Sequence, residues 1–299
     1  MLILDESQVR RLLRFDTLIP AMERALVDFS AGRVVQPVRT VIAPAPRALF
    51  ATMPAVYGDV LGAKLVTVYP DNAQRGLPTH LASIQLFRAS TGEPIAVMDG
   101  RLITEMRTAA VSAVAARALA TPDARVLAVL GTGVQARAHM EALRLVREFD
   151  DVRVWGRTPE HARRLAAEMN ARSMAADDAV RGADVVVTVT NAAEPILRGS
   201  WLTEGTLVIA VGAVGAARRE LDADAMRGAV VVDSREAAMQ ESGDVLLAQA
   251  TISAELGEIL GGLTPRPNGR VTVFKSLGLA VEDVAAARLV YEAATGHAP

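Results

Sequence analysis

The second half of the chain alternates short apolar segments with longer amphipathic ones. The apolar segments have the length of strands, and 185–187 and 230–232 each consist of three consecutive valines. A strand without a polar face must be covered on both sides, as parallel strands are by helices. The predicted strands are 125–130, 152–155, 184–190, 206–211 and 229–233, and helices are predicted at 134–148 and 160–170. This alternation predicts a doubly wound parallel sheet of the Rossmann type.

The first half has a different pattern. Five strand-like segments follow one another with only Pro-, Gly-, Asp- and Asn-containing connections between them: 38–43, 49–53, 62–69, 81–88 and 94–98. Connections this short predict a mainly antiparallel sheet. Helices are predicted at 6–13 with Asp5 as the N-cap, from Asp16 to Gly32 with Asp16 as the cap, and at 101–120.

The last part of the chain, 271–292, contains one more strand and a helix. A lone terminal helix needs a partner for its apolar stripe, so we expect it to pack on the first half. We therefore predict an α/β protein with two domains. An N-terminal α+β domain covers 1–120 and is completed by about 279–299, and a Rossmann domain covers 121–278.

Composition excludes several classes of protein. Hydrophobic residues make up 51% and charged residues 22%, which is typical of a globular chain. The 32 Lys and Arg nearly balance the 34 Asp and Glu, so we expect neither a nucleic-acid nor a membrane partner. The absence of cysteine excludes disulfides, thiol catalysis and zinc–thiolate sites, and we predict no metal site. No apolar run approaches the roughly 18 residues of a membrane span, and two early acids argue against a signal peptide. A cytoplasmic location is expected.

A glycine-rich loop joins the first predicted strand and helix of the second half. Residues 131–136 read Gly-Thr-Gly-Val-Gln-Ala, which is G-x-G-x-x-A. Gly131 permits a tight turn, Gly133 lets a pyrophosphate approach the backbone, and Ala136 allows close packing of helix on strand. The helix N-terminus offers free N–H groups to the phosphates. A glycine-rich turn alone is weak evidence, but after a strand and before a helix it predicts a dinucleotide site.

The end of the second predicted strand indicates which dinucleotide is bound. NAD enzymes usually have Asp or Glu there for the ribose 2′-hydroxyl, whereas this chain has Gly156, Arg157 and Thr158. No acid repels a 2′-phosphate, Arg157 can pair with it, and Thr158 can donate a hydrogen bond. The alternative is a solvated surface arginine. The pattern favours NADP(H) over NAD(H).

Three cations lie on apolar elements of the first half. Lys64 alternates with valines along a predicted strand, Arg107 shares a helix face with small apolar residues, and Arg39 lies in the strand predicted at 38–43. Each alone is more often a surface or salt-bridge residue, but together they indicate a carboxylate site. His80 is either a proton donor or a strand cap.

The chain resembles the ornithine cyclodeaminase/μ-crystallin family over essentially its whole length. The stretches that carry the resemblance are QPVRTV (36–41), MPA (53–55), KLVT (64–67), MDG (98–100), RTAA (107–110), GTGVQ (131–135), EPIL (194–197), ESGD (241–244) and VFKSLG (273–278). They look closest to the μ-crystallin branch, whose members reduce cyclic ketimines with NAD(P)H and in vertebrates also bind thyroid hormone. The resemblance implies an N-terminal substrate and dimerisation domain, and therefore a homodimer.

The resemblance also implies site residues, position by position. Arg39, Lys64 and Arg107 would bind the substrate carboxylate, Glu241 would face the substrate pocket, and Lys64 or His80 would be the catalytic proton source. The implied cofactor contacts are Thr79, His80, Thr190, Asn191, Val211 and Ser276 near the nicotinamide, Gly131, Thr132, Gly133, Val134 and Gln135 at the pyrophosphate, and Gly156, Arg157 and Thr158 at the 2′-phosphate.

Two departures from the family pattern bear on the substrate. Cyclodeaminases of the family carry acids that bind or deprotonate a distal amine, and the matching positions here are Val214 and Ala51, which can do neither. We therefore expect reduction of a small 2-imino acid, preferably a cyclic ketimine of the 1-pyrroline-2-carboxylate type, to the L-amino acid. The alternatives are ornithine cyclodeamination with catalytic NAD, alanine-type dehydrogenation, and an NADPH-dependent ligand-binding protein of μ-crystallin type. We also expect Arg107→Ala to lose carboxylate recognition and keep the fold.

Overall fold

The computed structural model describes residues 1–298, which form two compact units. The first unit contains Met1–Arg107 and the segment that begins at Leu279, and the second contains Thr108–Gly278. The division falls inside one long helix, Gly100–Leu119, which therefore contributes residues to both units. No helix within the described residues combines the length and the apolar character that crossing a membrane requires.

The helices of residues 1–298 are α1 (Glu6–Leu12), α2 (Phe15–Ser30), α3 (Gly100–Leu119), α4 (Val134–Arg144), α5 (Pro159–Glu168), α6 (Ala176–Val180), α7 (Arg235–Glu241), α8 (Gly243–Ala248), α9 (Leu256–Leu260) and α10 (Ala280–Thr295). Asp5 caps α1 as predicted, because its carboxylate accepts the backbone N–H of Gln8 at 2.8 Å. The predicted cap at Asp16 is wrong. Helix α2 begins at Phe15, so Asp16 lies in its first turn, where a negative charge still favours the helix dipole.

The first unit, within residues 1–298, contains a six-stranded sheet. Its strands are β1 (Leu2–Leu4), β2 (Thr40–Ile42), β3 (Leu49–Tyr57), β4 (Val60–Val68), β5 (His80–Arg88) and β6 (Pro94–Asp99). They lie in the order β1-β6-β5-β4-β3-β2, and only the β1–β6 pair is parallel. The predicted, mainly antiparallel sheet is confirmed. β3 continues through Pro54 because β2 pairs only up to Thr52, so the missing N–H of the proline breaks no ladder.

Helix α10 covers the inner face of this sheet. It packs on β3, β4 and β5 and on helix α2. Nearly every residue from Ala280 to Val290 is buried, as expected for a helix that is apolar around most of its circumference. Gly62 of β4 makes room for the helix, since a Cβ there would lie 3.2 Å from the Val284 side chain and 2.8 Å from the Gln85 carbonyl oxygen.

The second unit, again within the described residues, contains an eight-stranded sheet. Its strands are β7 (Val126–Leu130), β8 (Asp151–Trp155), β9 (Arg172–Ser173), β10 (Val185–Thr188), β11 (Leu207–Ala210), β12 (Ala229–Val232), β13 (Ile252–Glu255) and β14 (Thr272–Lys275). They lie in the order β13-β12-β14-β11-β10-β7-β8-β9, and every pair is parallel. The valine runs of β10 and β12 are fully buried. The predicted doubly wound sheet is confirmed.

Candidate functional site

A cluster of buried charges lies on the inner face of the sheet in the first unit, between the sheet and α10. Lys64 of β4 points into this face and its Nζ lies 2.7 Å from Asp283 Oδ2. Arg107 of α3 binds the same carboxylate through Nε at 3.0 Å and binds Glu282 through Nη1 at 2.6 Å. Lys64 and Arg107 are at most 4% exposed, and both acids are fully buried. Charges buried this deeply are stable only when they are paired. The stability of this part of the fold therefore depends on β4, α3 and α10 being in place together.

The cluster changes the protonation behaviour of its members. Burial lowers the pKa of Lys64 to about 8, and the pairing with Asp283 only partly opposes this. Burial alone would raise the pKa of Asp283, but the charges of Arg107 and Lys64 outweigh it and hold this pKa below its ordinary value. At neutral pH Lys64 therefore carries a proton, and it gives that proton up more readily than a solvated lysine does.

Two further predicted residues are near this cluster. Arg39 is half-buried and its charge lowers the pKa of Lys64. It lies in the loop just before β2, so its predicted place inside a strand is wrong. His80 opens β5, where burial and the charge of Lys64 lower its pKa to about 4, which leaves the ring neutral at pH 7. The structure thus brings Arg39, Lys64, His80 and Arg107 together in one unit.

In the second unit, the glycine loop follows β7 and turns into α4. Gly131 has φ +142°, and a Cβ there would lie 2.7 Å from the Val189 carbonyl oxygen. Gly133 is the N-cap of α4, and no atom lies within 4 Å of where its Cβ would be. The backbone N–H groups of Val134 and Gln135 open the helix and have no acceptor within it. An open space in front of free N–H groups fits the pyrophosphate of a dinucleotide.

The end of β8 lies beside this loop. A Cβ on Gly156 would come within 2.4 Å of the Thr132 side chain, so a larger residue there would force that side chain to move. Arg157 and Thr158 follow at the exposed start of α5. Within residues 1–298, no acidic side chain pairs with Arg157. Arg157 is thus an exposed cation just after β8.

The other predicted cofactor residues divide between the units. In the second unit, Thr190 and Asn191 follow β10, Val211 follows β11 and Ser276 follows β14, so all four lie at the carboxyl ends of neighbouring parallel strands. In open parallel sheets, ligands bind at the carboxyl ends of the strands. In the first unit, Thr79 and His80 lie together at the start of β5.

The remaining predicted positions lie as follows. Glu241 ends α7, is half-buried, and its backbone oxygen accepts the N–H of Gly215 at 2.8 Å. Val214, in the loop after β11, is partly exposed. Ala51 is buried on the inner face of the first sheet, the face that also carries Lys64.

The sequence reasoning missed the acids that complete the charge cluster. Glu282 and Asp283 lie in the first turn of α10, and the residues that follow them, 284–287, are all apolar. Two adjacent acids in such a helix are a usable signal, since a buried acid must find a cation elsewhere in the chain. It also missed Glu220, a fully buried carboxylate of the second unit, whose surrounding loop shows no periodic pattern.

Comparison with known proteins agrees with this geometry. The sequence model of the ornithine cyclodeaminase/mu-crystallin family matches residues 1–298. The chain belongs to this family. It is 48% identical to the ketimine reductase mu-crystallin of Mus musculus, over 97% of this chain and 96% of that protein.

Two solved structures of the family share the fold closely. Thermococcus litoralis Delta(1)-pyrroline-2-carboxylate reductase, solved in complex with NADH and L-proline, is 37% identical with a TM-score of 0.95, over 99% of this chain and 98% of that one. An archaeal alanine dehydrogenase dimer with bound NAD is 32% identical with a TM-score of 0.95, over 99% and 96%.

The charge cluster revises the expectation that Arg107→Ala keeps the fold. Removing Arg107 leaves Glu282 and Asp283 buried without their guanidinium partner. We now expect Arg107→Ala to lose about 3–5 kcal/mol of the free energy of unfolding, measured by urea denaturation. Arg163→Ala, which breaks an exposed pair with Glu160, should cost no more than about 1 kcal/mol. Equal stability of the two variants would contradict the role of the cluster.

The lowered pKa of Lys64 predicts a pH dependence of stability. The ordinary value is 10.5 and the folded value is about 8, so between these values the unfolded chain binds more protons than the folded one. Stability from this group therefore rises as the pH increases from about 8 to 10.5. Lys64→Met abolishes the effect. The difference in the free energy of unfolding, parent minus variant, should grow across this window, and a difference that stays constant would show an unshifted lysine. The chain has only two lysines, Lys64 and Lys275, so Lys275 is the only other lysine that titrates in both proteins.

Proposed function

We propose that this protein reduces a small cyclic 2-imino acid to the corresponding L-amino acid, with NADPH as the reductant. The observation that carries the proposal is the cation cluster of the first unit, in a chain nearly half identical to a ketimine reductase. The second unit supplies the dinucleotide cradle. The similarity to a pyrroline-2-carboxylate reductase solved with proline supports a five-membered ring as one substrate class.

Arg39, Lys64 and Arg107 bind the substrate carboxylate in this proposal. Arg107 already holds two acids, so its second role is to fix the charge pattern around Lys64. The ammonium of Lys64 has three N–H donors and its close partner is one oxygen of Asp283. Donors therefore remain for a carboxylate, and the charge of that carboxylate would favour the protonated form of Lys64.

Lys64 is the better of the two candidate proton sources. With a pKa of about 4, His80 is neutral at pH 7 and has no readily released proton. With a pKa of about 8, Lys64 is protonated at pH 7 and releases its proton to the imine nitrogen more easily than an ordinary lysine. When bound, the nicotinamide supplies a hydride to the imine carbon. One reductant and one proton are consumed for each amino acid formed.

Gly156 and Arg157 support NADPH over NADH. The position after β8 has no acid to accept the ribose 2′-hydroxyl or repel a 2′-phosphate. Arg157 is exposed and has no acidic partner among the described residues, so its charge is available to a phosphate.

A homodimer formed through the first unit is the second part of the proposal. The sheet face opposite α10 exposes apolar side chains, among them Val56 at 40%, Leu65 at 44% and Leu81 at 43%. They belong to three adjacent strands and alternate with the buried residues of the inner face. An uncovered apolar sheet face is typical of a subunit interface, and the archaeal alanine dehydrogenase is a dimer. The cytoplasmic location stays a prediction.

The reaction is tested by following NADPH oxidation. We expect turnover with five- and six-membered cyclic ketimine carboxylates and little with pyruvate plus ammonia. Ornithine with NAD or NADP should yield no ammonia, since Val214 and Ala51 provide no acid for the distal amine. Ammonia release without net use of cofactor would instead indicate cyclodeamination, and no turnover of any substrate by a protein that binds NADPH would indicate a binding protein.

The cofactor preference is tested at Arg157. Loss of a charge-assisted contact to the 2′-phosphate should weaken NADPH binding by about tenfold or more. Titration of NADPH and NADH into the parent and into Arg157→Ala measures this, and NADH affinity should not change. Arg164→Ala on α5, the helix that follows Arg157, is the control. Equal affinity for both cofactors in the parent would overturn the preference.

The proposed interface is tested at Leu65. We expect the parent to elute with the mass of a dimer in size-exclusion chromatography with light scattering. Leu65→Glu places a charge in the apolar face and should give monomers at micromolar concentration. Leu145→Glu changes an exposed leucine of the second unit and should leave the mass unchanged. A monomeric parent would contradict the interface.

A further inference from the structure

Glu220 is a buried carboxylate of the second unit that the proposed chemistry does not use. It is fully inaccessible to solvent. Oε1 accepts hydrogen bonds from the backbone N–H and the hydroxyl of Thr190, both at 2.7 Å. Oε2 accepts the hydroxyl of Thr188 at 2.9 Å and the N–H groups of Gly212 and Ala213 at 2.7 and 3.2 Å. Each oxygen thus accepts at least two hydrogen bonds, which suits an ionised carboxylate.

The donors come from two different loops. Thr190 belongs to the loop after β10, whereas Gly212 and Ala213 belong to the loop after β11. One carboxylate therefore ties the carboxyl ends of two adjacent parallel strands. The fit is close, since a Cβ on Gly212 would lie 2.6 Å from Glu220 Oε1 and 2.4 Å from the backbone nitrogen of Thr190.

The backbone of Glu220 is itself fixed by hydrogen bonds. Its backbone N–H donates to Asp244 Oδ1 at 2.8 Å, and its carbonyl oxygen accepts the N–H groups of Ile196 and Leu197. The other oxygen of Asp244 lies 3.1 Å from Lys275 Nζ, which also donates to the carbonyl of Ala213 at 2.7 Å. Glu220 and the loop after β11 are thus both held in place by further buried, charge-assisted hydrogen bonds.

The same contacts reach the glycine loop. Val189, the residue before Thr190, donates its N–H to the Leu130 carbonyl at 2.9 Å, and its own carbonyl lies against Gly131. In the sheet order, Arg157 follows β8 on one side of β7, and the loops that Glu220 ties lie on the other side, after β10 and β11. A dinucleotide whose pyrophosphate lies at the glycine loop has its adenosine half toward β8 and its nicotinamide half toward β10.

We propose that Glu220 is a positioning residue that holds the loops after β10 and β11 in the arrangement that receives the nicotinamide half of the cofactor. The proposal rests on the cofactor site proposed above. Glu220 acts through the backbones of Thr190 and of the Gly212 segment, and it does so by accepting hydrogen bonds that no neutral side chain of its size can accept in full.

The test compares two nucleotides in Glu220→Gln. A glutamine amide turns a donor toward N–H groups that need an acceptor, so at least one of the two loops must move. We expect the Kd of NADPH to rise by about tenfold and kcat for imine reduction to fall at least as much. The Kd of 2′-phospho-ADP-ribose, which lacks nicotinamide, should match that of the parent. In a parallel titration, the Kd of NADH should also rise, and the Kd of ADP-ribose should also stay unchanged.

Two further variants keep the outcome decisive. Asp184→Asn removes a carboxylate that accepts the N–H groups of Arg125 and Val126. This contact lies at the amino ends of the parallel strands, away from the loops that Glu220 holds. Asp184→Asn should lower the melting temperature and leave the ratio of the two Kd values at the parental value. Glu220→Asp keeps the charge but shortens the side chain, and it replaces the glutamine variant if that protein does not fold.

The results separate the two proposals. A parent that binds neither nucleotide overturns the cofactor site and the role of Glu220 with it. A parent that binds both, with Glu220 variants that weaken both equally or neither, overturns the positioning role alone. A change confined to the nicotinamide-containing ligand supports it.

Discussion

The ion pair between Lys64 and Asp283 is the interaction on which the first unit depends. It joins the middle of a sheet to helix α10, with Arg107 bound to the same carboxylate. None of these groups can stay charged in the interior without the others. The helix must therefore dock in one register, with its first turn over β4. The first unit therefore combines residues 1–107 with the segment that begins at Leu279, which are far apart in sequence.

The second unit uses buried charge in a different way. Lys275 pairs with Asp244, but the carboxylates there bind mainly backbone N–H groups. The chain has two lysines, and both are buried in such pairs, whereas its exposed cations are arginines. A buried ammonium can lose its proton, which a guanidinium cannot. This ability to lose a proton bears on the proposed chemistry only at Lys64, since Lys275 donates to fixed protein oxygens.

Periodicity and turn chemistry predicted most of the strands, the glycine loop and the fold class, because these depend on neighbours in sequence. They missed the short strands β1, β9 and β13. They did not give the cap of α2, where Asp16 lies two residues after the N-cap position, nor the place of Arg39 outside a strand. The order of the second sheet, with β14 between β11 and β12, is equally invisible to local pattern. The partners of Arg107 lie 175 and 176 residues away. A sequence pattern can indicate that a buried cation needs an acid, but only the fold selects which one.

The apolar residue at position 51 has a consequence for Lys64 itself. Ala51 lies on the inner face of β3, two residues from Met53, the register partner of Lys64. A carboxylate on this face would add a second negative charge near the ammonium and raise its pKa. With alanine there, burial dominates and the pKa stays near 8. The position that the resemblance matches to an acid of the cyclodeaminases is thus one whose apolar side chain keeps the pKa of Lys64 low, as the proposed proton transfer requires. The proposed substrate has no distal amine, so the proposed reaction needs a proton at Lys64 and no acid at position 51.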